Sequence, residues 1–289
     1  METRRLGRTE HRSSVAVLGG ATFWKATPEQ ADEALHLAVS RGVNHIDIAP
    51  SYGAAEDVAG PTIGELRDRL FIGEKTSRSN PSGVRAQLET SLGKLGCSSF
   101  DLYQAHGVTS LDVLDTRVAA IEAMLAMRDE GLFRFVGITG HDLGAPRAHL
   151  EALRRWDLDT VMFPIYPRVY ADPMYRADVL ALLAECALRD VGVMVIKAAA
   201  KQPWGDKLPT HWTWYEPQTS VDGIRNGIRF ALSHPGVHAF CTPGDLALLP
   251  DVLDAAESFV PYTVDERAAA VAASADDPII FPLAVHARS

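Results

Sequence analysis

The sequence lacks the features that mark secreted, membrane-embedded or metal-dependent proteins. Its three cysteines, Cys97, Cys186 and Cys241, are scattered without paired spacing, which is typical of reduced thiols in a cytoplasmic protein. No apolar run approaches the roughly 18 residues of a membrane span. The polar N-terminus "METRRLGRTEHRSS" has no apolar signal core. The histidines are dispersed and no CxxC pair occurs, so we predict a cytoplasmic protein without a metal site.

Basic side chains are also scarce relative to acidic ones. The 289 residues include 37 Asp and Glu against 28 Lys and Arg, which gives a formal net charge of -9. An acidic surface disfavours nucleic acids and anionic membranes as partners. Hydrophobic residues make up 47% of the chain, enough for a large core. We interpret residues 1–289 as one domain, because α/β barrels reach this length without dividing.

What the sequence does contain is a regular alternation of short apolar runs and longer helical patterns. Eight such units predict parallel strands covered by helices, and they favour a closed (β/α)8 TIM barrel. The turn "GGATFW" after the first run lacks the GxGxxG pattern, which argues against a Rossmann fold. The eight apolar runs span residues 15–20, 43–49, 70–75, 100–106, 133–140, 159–165, 191–197 and 237–244.

Polar side chains stand where three consecutive strands are predicted to end. Asp47 lies within "HIDIAPSYG" with Tyr52 just beyond it, and "LFIGEK" ends at Lys75. The next run, "FDLYQAH", ends at His106. Chemistry in such barrels takes place at the carboxyl ends of the strands. Because adjacent strands lie about 4.8 Å apart, these four side chains are expected to meet at the barrel mouth.

The four residue types together suit protonation of an oxygen atom. An ammonium group at Lys75 lowers the pKa of a neighbouring phenol, and Asp47 keeps that lysine charged. A neutral His106 can hydrogen-bond a carbonyl oxygen and orient it beside Tyr52. This set suits reduction of a carbonyl by a hydride, which a cofactor must supply. Each residue alone also has an ordinary structural interpretation, as a helix cap, a packing residue or a solvated rim residue.

These segments resemble the aldo/keto reductase family, and the likeness extends over nearly the whole chain. "HIDIAPSYG", "GEKT" and "DLYQAHGV" are similar to the family's segments that carry its catalytic residues. "RRLGRTEHRSSVAVLGGATF" looks like its N-terminal β-hairpin and first barrel strand, and "GIRFALSHPGV" and "TPG" resemble its last two units. The segment 263–274 predicts an extra C-terminal helix, followed by a tail. The likeness implies a metal-free, nicotinamide-dependent carbonyl reductase with Tyr52 as proton donor and a catalytic tetrad of Asp47, Tyr52, Lys75 and His106.

Two segments depart from the family's pattern. A Ser-Asn pair usually follows its fifth strand, where this chain has Thr139 and His141. A glutamine is common after its sixth strand, where this chain has Phe163 and Pro164, with Tyr166 as a candidate ring to stack on the nicotinamide. A plain turn is the alternative for Thr139, and barrel packing is the alternative for Tyr166. The cofactor contacts that the likeness implies are Thr22, Asp47, Thr139, Tyr166, Thr242 and Gly244.

Aromatic residues are concentrated after the seventh strand, in "KAAAKQPWGDKLPTHWTWYEPQ" (197–218). Loops of this length inside a compact domain are often lids or binding elements. We expect this loop and "ATFW" after the first strand to wall the substrate pocket. Packing against the barrel rim is the alternative. The candidate pocket residues are Phe23, Trp24, Trp204, Trp212 and Trp214.

The stretch "CTPGDLALLPDVLDAA" (241–256) bears on the choice of cofactor. By the family likeness it meets the adenosine end, where a Lys or Arg usually pairs with the 2′-phosphate of NADP. Here it has neither, and its three aspartates favour NAD. Gly244 is expected to open a helix whose amides bind phosphate, and Arg225, Arg229 and Lys201 are alternative cations. Since NADP is the family default, we expect use of NAD(P)H, with a weaker preference for NADP than is usual.

Taken together, these patterns predict an enzyme that reduces the aldehyde or ketone group of a small molecule to an alcohol with NAD(P)H. The alternative is a protein of the same fold that senses the cofactor or binds a partner and turns over little substrate, because a fold does not fix a function. The complete tetrad favours the enzyme.

Overall fold

The structure is a computed structural model that describes residues 1–283, and its centre is a closed barrel of eight parallel strands. The strands are β1 (Thr3–Arg5), β2 (Arg12–Ser14), β3 (Ala16–Gly19), β4 (His45–Asp47), β5 (Phe71–Thr76), β6 (Phe100–Ala105), β7 (Phe133–Thr139), β8 (Thr160–Pro164), β9 (Gly192–Ile196), β10 (Ala200–Gln202), β11 (Glu216–Pro217) and β12 (Ala239–Cys241). The helices are α1 (Pro28–Ser40), α2 (Ala55–Glu65), α3 (Pro81–Lys94), α4 (Leu111–Asp115), α5 (Val118–Asp129), α6 (Ala145–Arg155), α7 (Pro167–Ala171), α8 (Pro173–Arg189), α9 (Val221–Leu232), α10 (Leu249–Glu257) and α11 (Val264–Ala273).

The barrel runs in the order β12-β3-β4-β5-β6-β7-β8-β9 and closes because β12 pairs with both β3 and β9. Seven of the eight apolar runs identified in the sequence contain one of these strands, and the run 70–75 coincides with β5 to within one residue, so the predicted (β/α)8 barrel is confirmed. The antiparallel hairpin of β1 and β2 precedes the barrel as the family likeness implied, and α11 lies within the segment predicted for the extra helix. No helix in the described part of the chain is long and apolar enough to cross a membrane.

Helix α1 shows how local sequence sets an element and its buried face. The Thr27 side chain accepts a hydrogen bond from the Gln30 amide while the Gln30 side chain accepts one from the Thr27 amide, a reciprocal cap that starts the helix. Two residues beyond its end, Gly42 adopts a φ of 88°, which favours glycine and turns the chain into β4. The face that packs on the barrel consists of Ala31, Ala34, Leu35, Ala38 and Val39.

Three segments differ from the sequence interpretation. Two helices, α4 and α5, follow β6 where the alternation predicts one, and α2 carries Pro61 in its interior. The segment 197–218 is not an unbroken loop, because β10 and β11 pair in it as a short antiparallel ribbon. This ribbon ties the two ends of the aromatic segment together.

The barrel interior is apolar at its amino-terminal end. Leu6, from the connection between β1 and β2, is fully buried there and plugs the barrel floor. Burial of this kind is the main stabilising contribution to the fold, and it leaves the other end of the barrel to polar side chains. The floor cluster consists of Leu6, Val17, Phe71, Leu102, Met162, Met194, Ala239 and Cys241.

One acidic side chain is buried on the other face of the barrel wall. Glu74 precedes Lys75 on β5 and therefore points away from the barrel interior. It is fully buried, and its Oε2 atom has no hydrogen-bond partner among the described residues. Burial, reinforced by the charge of Glu56, raises the pKa of Glu74 well above its ordinary value. The folded protein therefore holds a proton on Glu74 that the unfolded chain releases in the ordinary carboxyl range.

This proton makes stability depend on pH. Because the folded-state pKa is raised, the stabilisation is present at acidic pH and is lost as pH rises through that pKa. Glu74→Gln keeps the shape without the titration, so its free energy of unfolding relative to wild type should increase between about pH 5 and pH 9. Urea unfolding followed by circular dichroism measures this change. Glu65→Gln, at an exposed site on α2, is the matched control, and an identical difference at both pH values for Glu74→Gln would contradict the assignment.

Candidate active site

The four residues of the predicted tetrad meet at the carboxyl-terminal mouth of the barrel. Asp47 ends β4, Lys75 lies near the end of β5, and His106 follows β6 directly. Tyr52 lies in the turn between β4 and α2, which folds back over the mouth. All four side chains line a single cavity of about 320 Å³. Neighbouring parallel strands thus bring together residues as distant in the sequence as Asp47 and His106, which lie 59 positions apart.

A buried ion pair lies at the base of this cavity. The Lys75 ammonium donates a short hydrogen bond to Asp47 Oδ2, and both side chains are almost fully buried. The same ammonium lies 3.2 Å from the Tyr52 hydroxyl and 3.4 Å from the Ile48 carbonyl oxygen. The other oxygen of the carboxylate, Asp47 Oδ1, accepts a hydrogen bond of 2.8 Å from Gln104 Nε2. Lys75 therefore connects the carboxylate to the phenol.

The balance of burial and charge decides the ionisation of Lys75 and Tyr52. Burial lowers the pKa of Lys75, but Asp47 and Tyr52 together outweigh it, so the net pKa is raised and the ammonium persists. Burial raises the pKa of Tyr52 to about 12, although Lys75 acts in the opposite direction. The sequence interpretation gave the direction of the lysine's effect correctly. It missed that burial exceeds this effect, so the phenol holds its proton across the neutral range.

His106 is a neutral side chain beside the phenol. Burial first, and then the positive charge of Lys75, hold its pKa well below the ordinary value for histidine. Its ring meets the Tyr52 ring edge to face, with 5.6 Å between the centroids. Its Nδ1 atom lies 3.4 Å from Ser51 Oγ, which leaves Nε2 as the ring nitrogen that can bond to a ligand.

The cavity wall includes several of the predicted contact residues. Thr139, Thr242 and Gly244 line it beside the tetrad, and Trp24 and Trp214 form an aromatic corner with ring centroids 5.7 Å apart. The remaining lining residues are Gly19, Ala21, Ser51, Gly140, His141, Met162, Ile196, Lys197, Cys241 and Leu283.

Three predicted contact residues lie away from this cavity. Phe23 is completely buried in the core beneath the turn after β3, and the Trp204 indole nitrogen donates inward to the Thr213 carbonyl oxygen. Tyr166 begins α7, packs against Phe281, and accepts a hydrogen bond from the Ile280 amide. For these three the packing alternative describes the observed positions, because Phe23 and Tyr166 pack in the core and Trp204 is buried within the aromatic segment.

Thr22 and Trp212 lie at a second hollow, of about 660 Å³, on the rim near the amino-terminal end of α1. Lys25 also lines this hollow, with its ammonium 4.2 Å from the centre of the Trp212 ring. The Trp212 amide donates to Asp245 Oδ2 at 2.7 Å, so the aromatic segment is fastened to the rim beyond β12.

The expectation that Gly244 opens a helix is wrong. A 3-10 turn over Leu246–Leu248 follows it, and α10 begins only at Leu249, with Pro250 in its first turn. The Asp245 side chain caps the 3-10 turn by accepting from the Ala247 amide at 2.9 Å. These amides are therefore less available to a phosphate than the sequence suggested, because a carboxylate already occupies one of them and proline has none to offer.

The three alternative cations are bonded within the chain. Arg225 pairs with Asp222 at 2.7 Å, Arg229 donates to the Val260 carbonyl oxygen at 2.7 Å, and Lys201 pairs with Glu216 at 2.8 Å. None of them is among the residues that line the cavity or the hollow.

Within the described residues, no group of three or more His, Cys, Asp or Glu side chains could hold a metal ion. His234 and His238 have the HxxxH spacing of some metal sites, but each forms a hydrogen bond with a different backbone group. The first bonds to the Phe230 carbonyl oxygen and the second to the Val193 amide.

Three functional groups in or beside the cavity were not singled out by the sequence interpretation. Gln104 touches the tetrad, Cys241 Sγ lies 3.9 Å from Asp47 Oδ2, and Lys197 lies on the wall near Trp214. Alternation along β6 could have identified Gln104, because it shares a face with Leu102 two residues earlier. Lys197 ends the seventh apolar run. Its position at a strand end, like that of Lys75, could have identified it from the sequence.

Comparisons with known proteins give the family of the chain. The sequence model of the Aldo/keto reductase family matches residues 16–202, so the chain belongs to this family. Methylglyoxal reductase DkgA of Salmonella typhimurium is 33% identical over 159 residues, which is 54% of each chain. Aldo-keto reductase YhdN of Bacillus subtilis is 28% identical over 139 residues, 43% of this chain and 41% of the relative. The chain thus spans about half the length of the curated relatives it matches.

A solved structure extends the likeness of fold to the whole chain. The holo form of the aldo-keto reductase AKR11C1 from Bacillus halodurans superposes with a TM-score of 0.72, covering 100% of this chain and 99% of the other. The sequence identity is 19%, so this likeness is one of fold.

The buried ion pair leads to a stability prediction. Lys75→Met leaves Asp47 buried without its cation, and breaking such a pair typically costs about 3–5 kcal/mol. We expect that loss in the free energy of unfolding at pH 7, and we expect part of it to be recovered when Asp47→Asn is added. Lys201→Met removes a cation from an exposed pair and should cost less than about 1 kcal/mol. Equal losses for the two lysines in urea unfolding would contradict the assigned role of the buried pair.

Proposed function

We propose that this protein reduces the aldehyde or ketone group of a small molecule with NAD(P)H, and that Tyr52 donates the proton. The contact of 3.2 Å between Lys75 Nζ and the Tyr52 hydroxyl carries the proposal. An ammonium group has no lone pair and can only donate. The phenol oxygen therefore accepts from Lys75, and the phenol proton remains available to a third group in the cavity.

The surrounding residues suit delivery of that proton to a carbonyl oxygen. Negative charge that develops on such an oxygen is stabilised by the Lys75 ammonium through the phenol. A Ser51 hydroxyl that donates to His106 Nδ1 keeps the ring proton on Nε2, where it can hydrogen-bond the same oxygen. The burial of Lys75 and Asp47 strengthens the electrostatic interaction with that oxygen. The nicotinamide supplies the hydride when it is bound.

The residues at the mouth fit a nicotinamide dinucleotide. The cavity and the second hollow adjoin each other, since Ala21 and Gly244 line the first while their neighbours Thr22 and Asp245 line the second. Thr22 Oγ1 is buried and has no hydrogen-bond partner among the described residues, which leaves it for a ligand. The hollow also contains Lys25, the one basic side chain among its described lining residues. A ligand with a neutral ring at one end and phosphate groups toward the other end matches this arrangement.

Small carbonyl compounds suit the cavity best as substrates. Its volume of about 320 Å³ has to accept a nicotinamide ring as well as the substrate, and small-molecule sites usually have about 300–1,000 Å³. Trp24 and Trp214 add an apolar wall beside the phenol. The relative named methylglyoxal reductase supports small reactive aldehydes as the first class to test. A cytoplasmic location and a single-domain organisation stay predictions.

Tyr52→Phe tests the proposed proton donor. Loss of a general acid typically lowers kcat about 10²–10⁴-fold, and we expect a loss in this range for methylglyoxal and other small aldehydes. Binding of the cofactor, followed by fluorescence, should be nearly unchanged because only one oxygen is removed. Tyr262→Phe removes a hydroxyl that bonds Asn226 away from the cavity, and it serves as the control. Retention of more than about a third of wild-type kcat in Tyr52→Phe would refute the role of Tyr52.

Titration with both reduced cofactors tests the proposed cofactor preference. We expect NADPH to bind more tightly than NADH, but by less than about 100-fold, which corresponds to roughly 2.7 kcal/mol. If the Lys25 ammonium contacts the 2′-phosphate, Lys25→Gln should weaken the binding of NADPH and leave the binding of NADH unchanged. The ratio of the two dissociation constants should then move closer to one. Lys207→Gln, which removes a cation paired with Glu216 on the aromatic segment, is the control. Equal weakening of both cofactors in Lys25→Gln would show that this lysine does not read the 2′-phosphate.

A further inference from the structure

The amide of Gln104 lies in the barrel interior against the catalytic carboxylate. Gln104 is on β6, two residues before His106, and its side chain is fully buried. Its Nε2 atom donates to Asp47 Oδ1 at 2.8 Å. The register places Gln104 beside Lys75 on the adjoining strand, so the amide and the ammonium approach the carboxylate from neighbouring positions.

Two glycines on the flanking strands leave room for this side chain. A Cβ atom on Gly73 would lie 3.3 Å from Gln104 Nε2 and 3.5 Å from Asp47 Oδ1. On the other side, a Cβ atom on Gly137 would lie 2.2 Å from Thr160 Oγ1 and 3.1 Å from Gln104 Cγ. Gly73 therefore leaves room for the amide itself, and Gly137 leaves room for the Gln104 stem and for Thr160.

The donors to Asp47 are divided between its two oxygens. Oδ1 accepts from Gln104, whereas Oδ2 accepts from Lys75 and lies 3.9 Å from Cys241 Sγ. A carboxylate held on both oxygens cannot turn about its Cβ–Cγ bond without breaking one of these contacts. Gln104 thereby fixes the oxygen that faces Lys75, and through Lys75 it fixes the ammonium that contacts Tyr52.

We propose that Gln104 is a positioning residue for the reduction, which holds Asp47 so that Lys75 stays against the Tyr52 hydroxyl. This inference rests on the proposed function. Packing alone does not account for the residue, since Gln104 Oε1 is buried without a partner among the described residues. An apolar side chain would fill the same space without the cost of burying half an amide.

Two variants at this position separate the hydrogen bond from the space it fills. Gln104→Met keeps the length and removes the donor, so kcat should fall about tenfold or more, as for loss of a bond to a charged group. KM and the cofactor Kd should stay within about threefold of wild type. Gln104→Glu can donate only while its carboxyl group is protonated, so its kcat should fall as pH rises and approach wild type at acidic pH. Leu102→Met, on the same face of β6 in the floor cluster, is the control and should leave kcat and its pH profile unchanged.

A thermal unfolding cycle keeps this inference separate from the proposed function. If Gln104 bonds Asp47, then Gln104→Met should lower Tm in the wild type and lower it less in the Asp47→Asn background. Additive effects on Tm, or a Gln104→Met variant with wild-type kcat and pH profile, would overturn the proposal. A different result would be coupled effects on Tm in a wild-type protein that reduces no carbonyl compound. That result would refute the proposed function, but it would support the contact between Gln104 and Asp47.

Discussion

The buried ion pair between Asp47 and Lys75 is the interaction on which the rest of the site depends. Removing two charges from water costs several kcal/mol, and an ion pair offsets that cost only when further hydrogen bonds satisfy its remaining atoms. Here Gln104 satisfies the second carboxylate oxygen, and the Ile48 carbonyl oxygen and the Tyr52 hydroxyl lie within reach of the ammonium. The pair is held by a set of bonds that also directs the ammonium at the phenol. The same hydrogen bonds therefore stabilise the buried ion pair and place the Lys75 ammonium against the Tyr52 hydroxyl.

The barrel fixes the position of the strands that carry Asp47 and Lys75. Its floor is packed mainly with apolar side chains, with Leu6 as a plug, and the four tetrad residues lie at the opposite, carboxyl-terminal mouth. Burial at that mouth keeps the Tyr52 phenol and the His106 ring in their neutral forms. Asp47 and Lys75 are almost fully buried, whereas Tyr52 and His106 are half-buried and line the cavity. The proposed proton donor and the imidazole are therefore both neutral before any ligand binds.

Much of this arrangement could be predicted from the sequence, because it depends on strand order. Alternating apolar runs predicted eight strands, and polar residues at consecutive strand ends predicted which side chains share the mouth. Residues in connections were harder, since a loop does not determine where its side chains point. Phe23 packs in the core and Trp204 is buried within its own segment, while Trp24 and Trp214, close to them in sequence, face the cavity. The net pKa of Tyr52 also required the structure, because it is set by the degree of burial as well as by the neighbouring charge.

Transfer of deuterium from the cofactor tests the central claim most directly. Wild-type protein incubated with NADPH or NADH that carries deuterium at both C4 positions, and with a small aldehyde, should yield an alcohol with one deuterium on the carbinol carbon. Mass spectrometry of the product measures this label, and the amount of oxidised cofactor should match the amount of alcohol. An alcohol without deuterium, or tight cofactor binding with no alcohol formed from any small aldehyde, would contradict the account.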